Sequence, residues 1–240
     1  MLPKAKPKVL LLDMDGVVLH QPNIHSFVAM RVSAFVRRKL SPIIPNITYE
    51  KAENINRALY MTYGHTLIGL NSVFNTNTSI AEFNSHVYDN VTMDYIPNFQ
   101  DDSMMRKNAN EVLQVLEQCH FREIPVYIFS NAPIRWNRTV LDMMGLPIRT
   151  DYILGSDHPV FDKRGLLKPQ AGLYHEVSHL MNYRHSSSHE LVFVDDSLMN
   201  LRPCMGNGKW HPVLFNQKMV SLDTDIMSIC PNMISTLELL

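Results

Sequence analysis

Apolar residues recur along this chain with two different periods. Val9-Leu10-Leu11-Leu12 is an unbroken apolar run that ends in charge at Asp13, as a parallel strand buried on both faces does. From about residue 24 to 121 the period turns helical. Ile24, Phe27, Val28, Val32, Phe35, Val36 and Leu40 repeat at helical spacing, and Pro42 and Pro45 close that helix. A second helix is predicted from about Thr48, as N-cap, to Tyr63, with Gly64 as its stop. A third falls near 79–90 and a fourth from about Ser103 to His120. Strand patterns then return at Val126–Phe129, Tyr152–Leu154, Leu191–Val194 and Val213–Phe215. Helices are expected over 133–145, 169–183 and 197–204, with a last one over Met233–Leu240. This alternation predicts an α/β fold, a parallel sheet wrapped by helices, with a helical block inserted after the first strand. Residues 1–7, basic and holding two prolines, read as a short flexible lead.

Composition narrows the function classes. At 240 residues the chain suits one domain, or one core with an insertion, and can bury a core without disulfide or metal staples. Lys+Arg 22 against Asp+Glu 23 leaves a net charge of −1, so no broad basic face for a nucleic-acid polymer is implied. No apolar run approaches the roughly 20 residues of a membrane span, and Asp13 interrupts the first run before it could serve as a secretory signal. Cys119, Cys204 and Cys230 are scattered, odd in number and lack a C-x-x-C pair, as expected of reduced side chains. A cytoplasmic or nuclear location and no membrane partner are expected.

Three of the predicted strands end in polar residues of particular kinds: Asp13-Met14-Asp15-Gly16, Ser130-Asn131-Ala132-Pro133, and Asp195-Asp196-Ser197. The carboxyl ends of parallel strands form the ligand crevice of an open sheet, so these groups would converge although they span the chain. Carboxylates from two strands suit a hard cation such as Mg²⁺. Pro133 at the first position of a helix would leave main-chain N–H groups around Asn131 and Ala132 facing an anion. Lys168-Pro169 repeats the pattern with a point charge suited to a phosphate oxygen.

In this order and at strand ends, Asp13-Met14-Asp15-Gly16, Ser130, Lys168 and Asp195-Asp196 resemble the four motifs of the haloacid dehalogenase-like (HAD) phosphatase superfamily. Leu59-Tyr60-Met61-Thr62-Tyr63-Gly64-His65-Thr66-Leu67-Ile68-Gly69-Leu70, Phe83–Tyr88 and Phe193–Asn200 are similar to segments of its pyrimidine 5′-nucleotidase-like branch. Val17 departs from the pattern, since many members carry Thr there. The resemblance implies a Rossmann-like core of residues 1–20 and 105–240 and an all-helical cap of residues 21–104. It implies a Mg²⁺-dependent phosphomonoester hydrolase with a small-molecule substrate such as a pyrimidine nucleoside 5′-monophosphate. Asp13 would be the nucleophile and Asp15 the general acid and base. Ser130, Asn131 and Lys168 would hold phosphate. Asp13, Asp15 through its carbonyl and Asp196 would hold the metal, with Asp195 in support. Tyr63, His65 and His86 are the cap candidates for substrate contact.

A rival comes from another class. His175-Glu176-Val177-Ser178-His179 is a literal H-E-x-x-H on a predicted helix, a pattern that can place two zinc ligands and a glutamate base on one face. On that helix Leu173, Val177 and Leu180 form the expected core stripe, which puts both histidines to the side or outside. A capped fold that binds a partner without catalysis is the third reading.

Overall fold

The computed structural model describes residues 7–89, 102–185, 189–215 and 227–240. The basic lead at 1–6 and the far end of the predicted 79–90 helix lie outside the described residues. Six strands form one parallel sheet: β1 (Lys8–Leu12), β2 (Val126–Phe129), β3 (Ile153–Leu154), β4 (Glu190–Asp195), β5 (Trp210–Phe215) and β6 (Ser228–Cys230). Their order is β3-β2-β1-β4-β5-β6, so the winding reverses between β1 and β4. A crevice opens at such a switch point, beyond the carboxyl ends of the strands.

The apolar run of β1 is continuous because both its faces are covered. Leu10 and Leu12 pack under α5 (Ser103–Phe121) and α6 (Ile134–Met143), while Val9 and Leu11 pack under α8 (Ala171–His185). Between β1 and α5 lie α1 (Pro22–Leu40), α2 (Tyr49–Tyr63), α3 (Thr66–Phe74) and α4 (Ile80–Tyr88). They bury a core of their own, with Phe35, Val36, Leu40, Leu70 and Val87 nearly inaccessible. The short helices α7 (Pro159–Asp162) and α9 (Leu198–Leu201) complete the set among the described residues.

The helical layer rests on the strand ends. Asn84 Nδ2 on α4 donates to Ser156 Oγ at 2.9 Å, and both side chains are buried. Tyr88 stacks against Trp136 at 5.4 Å, and Leu167 joins the core of the layer from the sheet side. Gly64, which ends α2 with φ +73°, lies so close to Pro169 and Met199 that a Cβ would fall 2.7 and 2.8 Å from them.

Several sequence expectations shift. Thr48 caps α2 by accepting from Lys51 N, as its residue type predicts. Helix α3 was not predicted. Its cap is His65, whose Nδ1 accepts from Leu67 N, and histidine is not among the usual capping residues. Strand β6, three residues at the sheet edge, is too short for its pattern to show. The C-terminal segment is a 3₁₀ turn over Ile234–Leu239 rather than an α-helix. Pro169 follows a cis peptide bond and α8 begins only at Ala171, so Pro169 does not open that helix. Pro133 is the N-cap of α6 rather than its first residue. The core stripe of α8 is Leu173, Tyr174, Val177 and Met181.

Because β1 is central and doubly covered, Leu12→Ala should cost about 2–5 kcal/mol of stability in urea unfolding. A loss below about 1 kcal/mol would contradict this packing.

Candidate active site

The turn after β1 starts the site. Asp13 N donates to Val194 O at 2.9 Å, which holds the end of β1 against β4. The Asp13 carboxylate is buried, and its Oδ1 accepts from Met14 N and from Lys168 Nζ, both at 2.8 Å. Gly16 has φ +90°, and a Cβ there would fall 2.2 Å from Asp196 Oδ2. The turn therefore requires glycine both for its backbone angle and for the space that Asp196 fills.

Lys168 is 1 % exposed. Its ammonium donates to Asp13 Oδ1 and Asp195 Oδ2, each at 2.8 Å, and to Phe129 O at 2.9 Å. All three hydrogens of the ammonium are thus engaged by protein. The rings of Phe129 and Phe193 lie 5.3 Å from it and exclude water. Burial pulls this lysine down, but Asp13 and Asp195 outweigh burial and hold it above its ordinary value, so it stays charged. Asp195 is fully inaccessible; Ser197 N at 2.8 Å and Asn200 Nδ2 at 3.1 Å supply its other donors.

The sequence places Lys168 and Asn131 on the substrate phosphate. In the structure the Lys168 donors are committed to the two aspartates and a carbonyl. Asn131 braces the Lys168 backbone, accepting from Lys168 N at 2.8 Å and donating to Lys168 O at 2.9 Å. Ser130 Oγ accepts from Ala132 N at 3.0 Å, which leaves the hydroxyl hydrogen free to donate into the cavity.

The cavity between strand ends and helical layer has a volume of about 590 Å³. Asp13, Asp15, Asp196, Ser130 and Lys168 form its floor, and His65 reaches it from the layer. Tyr63 and His86 do not line it. Tyr63 packs against the Gly69 turn of α3, and His86 packs on Phe35, 5.2 Å between ring centroids. The helical phase places Tyr60, His25 and Tyr88 at the cavity instead, three residues the sequence reading did not single out. Helical spacing in α2 sets Tyr60 and Gly64 on one face, which was the available signal for Tyr60.

Acid exceeds base on this floor. Burial, with Asp195 next, pushes Asp13 well above the ordinary carboxylate range. Burial raises Asp15 as well, opposed by His25 and Lys168, and its Oδ1 is buried without a hydrogen-bond partner. Burial and Asp195 push Asp196 up to about 7, although its side chain opens to solvent in the cavity. His65 is held neutral, its value lowered to about 4 by burial and by Lys168. Asp13, Asp195 and Asp196 can each offer one oxygen within 4.8 Å of the others. Repelling, under-paired carboxylates at this spacing fit a divalent, oxygen-seeking cation such as Mg²⁺. The Asp15 carboxylate lies outside this group.

The H-E-x-x-H segment does not assemble a comparable centre. His175 and His179 are exposed on α8, Glu176 pairs with Arg164, and no third ligand joins the two histidines among the described residues. The zinc-hydrolase reading therefore lacks both its third ligand and its base.

No protein-family model matches the chain, and no curated protein matches it. Solved structures do. A dehalogenase aligns over 100% of this chain and 99% of its own at 15% identity, with a TM-score of 0.56. A HAD phosphatase from Thermococcus onnurineus aligns over 97% of both chains at 16% identity, with a TM-score of 0.53. The HAD-hydrolase YfnB from Bacillus subtilis, solved with bound magnesium, covers 98% of this chain and 99% of its own at 14% identity, with a TM-score of 0.52. The chain thus has the HAD fold, a Rossmann-like α/β sheet. No helix among the described residues is long and apolar enough to cross a membrane.

Raised carboxylates bind protons more tightly in the folded state. The resulting cost to stability is absent below the ordinary carboxylate range and grows as pH rises toward about 7, where Asp196 ionises. In EDTA, Asp196→Asn should melt above wild type near pH 8, and the gap should close near pH 4. Added Mg²⁺ should raise the melting temperature of wild type and not of the variant. A gap that does not change with pH would contradict this electrostatic account.

Proposed function

We propose that this chain is a Mg²⁺-dependent phosphomonoester hydrolase that works through an aspartyl-phosphate on Asp13. The observation that carries the reading is the convergence of Asp13, Asp15, Ser130 and Asp196, from three strand ends, and of Lys168, from the loop before α8, on one cavity, with Asp195 buried beside Asp13 and Asp196. The metal would be held by Asp13, the Asp15 carbonyl and Asp196, with Asp195 in support. When bound, it would offset the repulsion between carboxylates and phosphate and gather developing negative charge.

The residues then have separable tasks. An Asp13 carboxylate oxygen attacks phosphorus as the bond from phosphorus to the leaving oxygen breaks. Asp15, which burial favours in its protonated form, gives its proton to that oxygen. Asp15 next takes a proton from water, and the water oxygen attacks phosphorus and releases Asp13 as carboxylate. The Ser130 hydroxyl donates to a phosphate oxygen. Lys168 acts through Asp13, holding its orientation and favouring its carboxylate form against burial. Asn131 keeps the Lys168 loop in place.

In this reading residues 21–104 are a cap that closes over the core of residues 1–20 and 105–240, excludes water and reads the leaving group. His65 would contribute a neutral N–H donor. Its Nδ1 accepts from Leu67 N, so the hydrogen sits on Nε2. The substrate would be a small phosphorylated metabolite, with a pyrimidine nucleoside 5′-monophosphate as the specific proposal, in a cytoplasmic setting. A dehalogenase needs neither the second acid at Asp15 nor the Asp195-Asp196 pair, so these residues favour phosphate chemistry.

Phosphate release from a panel of esters that includes nucleotides, with Mg²⁺ or EDTA, tests the reading. Release should require Mg²⁺ and fall to background in Asp13→Asn. Asp15→Asn should lower kcat by about 10²–10⁴-fold. Release that survives either EDTA or Asp13→Asn would overturn the mechanism.

A further inference from the structure

The cavity leaves two histidines of α8 unused. His175 and His179 are four residues apart and share one helical face, both exposed. The opposite face is firmly anchored. Leu173, Tyr174, Val177 and Met181 are buried against the sheet. Tyr174 Oη donates to Asn200 O at 2.5 Å, and Trp210 Nε1 donates to Ser178 Oγ at 3.0 Å. The two imidazoles therefore project from a fixed platform.

Their ring centroids are 4.5 Å apart with planes at 82°, and their Nε2 atoms are 3.1 Å apart. One ring donates its N–H to the lone pair of the other. Two nitrogens at this spacing subtend about 100° at a metal 2.0–2.1 Å from each, between the octahedral and tetrahedral angles. A cation taking the place of the shared hydrogen would need little movement of either ring. The neighbouring charge is balanced, because Arg164 Nη1 is paired with Glu176 Oε1 at 2.5 Å.

We propose that His175 and His179 form a surface chelate for a late first-row transition cation of the Zn²⁺, Ni²⁺ and Cu²⁺ class. Imidazole nitrogen selects these ions, whereas the carboxylate oxygens of Asp13, Asp195 and Asp196 suit Mg²⁺, so the two sites differ in the metal they take. Water fills the remaining coordination positions. The site binds without hydrolysing, since Glu176 is committed to Arg164 and no third protein ligand joins the pair among the described residues. A bound ion clips one turn of α8 and stabilises the folded chain by mass action. This inference does not rest on the phosphatase reading.

The probe is NiCl₂, titrated calorimetrically into untagged full-length protein with excess Mg²⁺ present. Wild type should bind one more Ni²⁺ per chain than His175→Gln or His179→Gln at the same free metal. Either variant should weaken that site roughly tenfold or more, because a chelate becomes a single imidazole. Both side chains are exposed, and circular dichroism melts establish that the variants are folded. As a second readout on wild type alone, the imidazole NMR signals of His175 and His179 should broaden at the lowest Ni²⁺ additions, before those of the other histidines. Unchanged Ni²⁺ stoichiometry and affinity in folded variants would overturn the proposal. So would early broadening centred on any other residue.

Discussion

The site depends on a single ammonium group held out of water. Lys168 is buried beneath the crevice and touches Asp13 at the end of β1, a carbonyl at the end of β2 and Asp195 at the end of β4. A charge in that position persists only if every donor is matched, and breaking such a buried pair typically costs about 3–5 kcal/mol. The interaction therefore fixes the relative height of three strand ends and opposes the burial that raises Asp13. Residues 39 positions before Lys168 and 27 after it, together with Asp13, are held in one geometry by it, and Asn131 braces the Lys168 backbone that carries it.

The same group does not neutralise the site. One lysine faces Asp13, Asp15, Asp195 and Asp196, and the surplus appears as raised carboxylates and an unpartnered Asp15 oxygen. A floor in this condition can accept a cation, and through it an anionic substrate. The helical layer adds contrasting chemistry above. Its contribution through His65 is a neutral donor, fixed in one tautomer by the N-terminus of α3. The layer side of the cavity also carries aromatic groups, Tyr60 and Tyr88, and two residues of charged type, Glu53 and Arg57 of α2.

The sheet and its acidic tips were legible in the sequence because doubly buried strands leave unbroken apolar runs. Where such a run stops at Asp13, Ser130 or Asp195, the stop marks the crevice. The separate roles of Lys168 and Asn131 were not legible, since residue type does not reveal which donors the protein itself will use. The layer was harder. Tyr60, Tyr63 and His86 all sit in the segments that carry the resemblance, yet helical phase turns Tyr63 and His86 away and leaves Tyr60, with His25 of α1, at the cavity. Helix α3 escaped because its cap is a histidine. In α8, both the metal-ligand spacing of two histidines and their place beside or outside the core stripe were legible, and the buried opposite face agrees with that placement.

The central claim is that Asp13 becomes covalently phosphorylated. The most direct measurement is mass spectrometry of the peptide containing Asp13 after acid quench of Asp15→Asn reacting with p-nitrophenyl phosphate and Mg²⁺. That leaving group needs no protonation, while loss of the Asp15 base slows the second step, so the intermediate should accumulate. The account predicts one phosphoryl group on that peptide, absent when EDTA replaces Mg²⁺. Release of p-nitrophenol with the Asp13 peptide unmodified at every time point would contradict it.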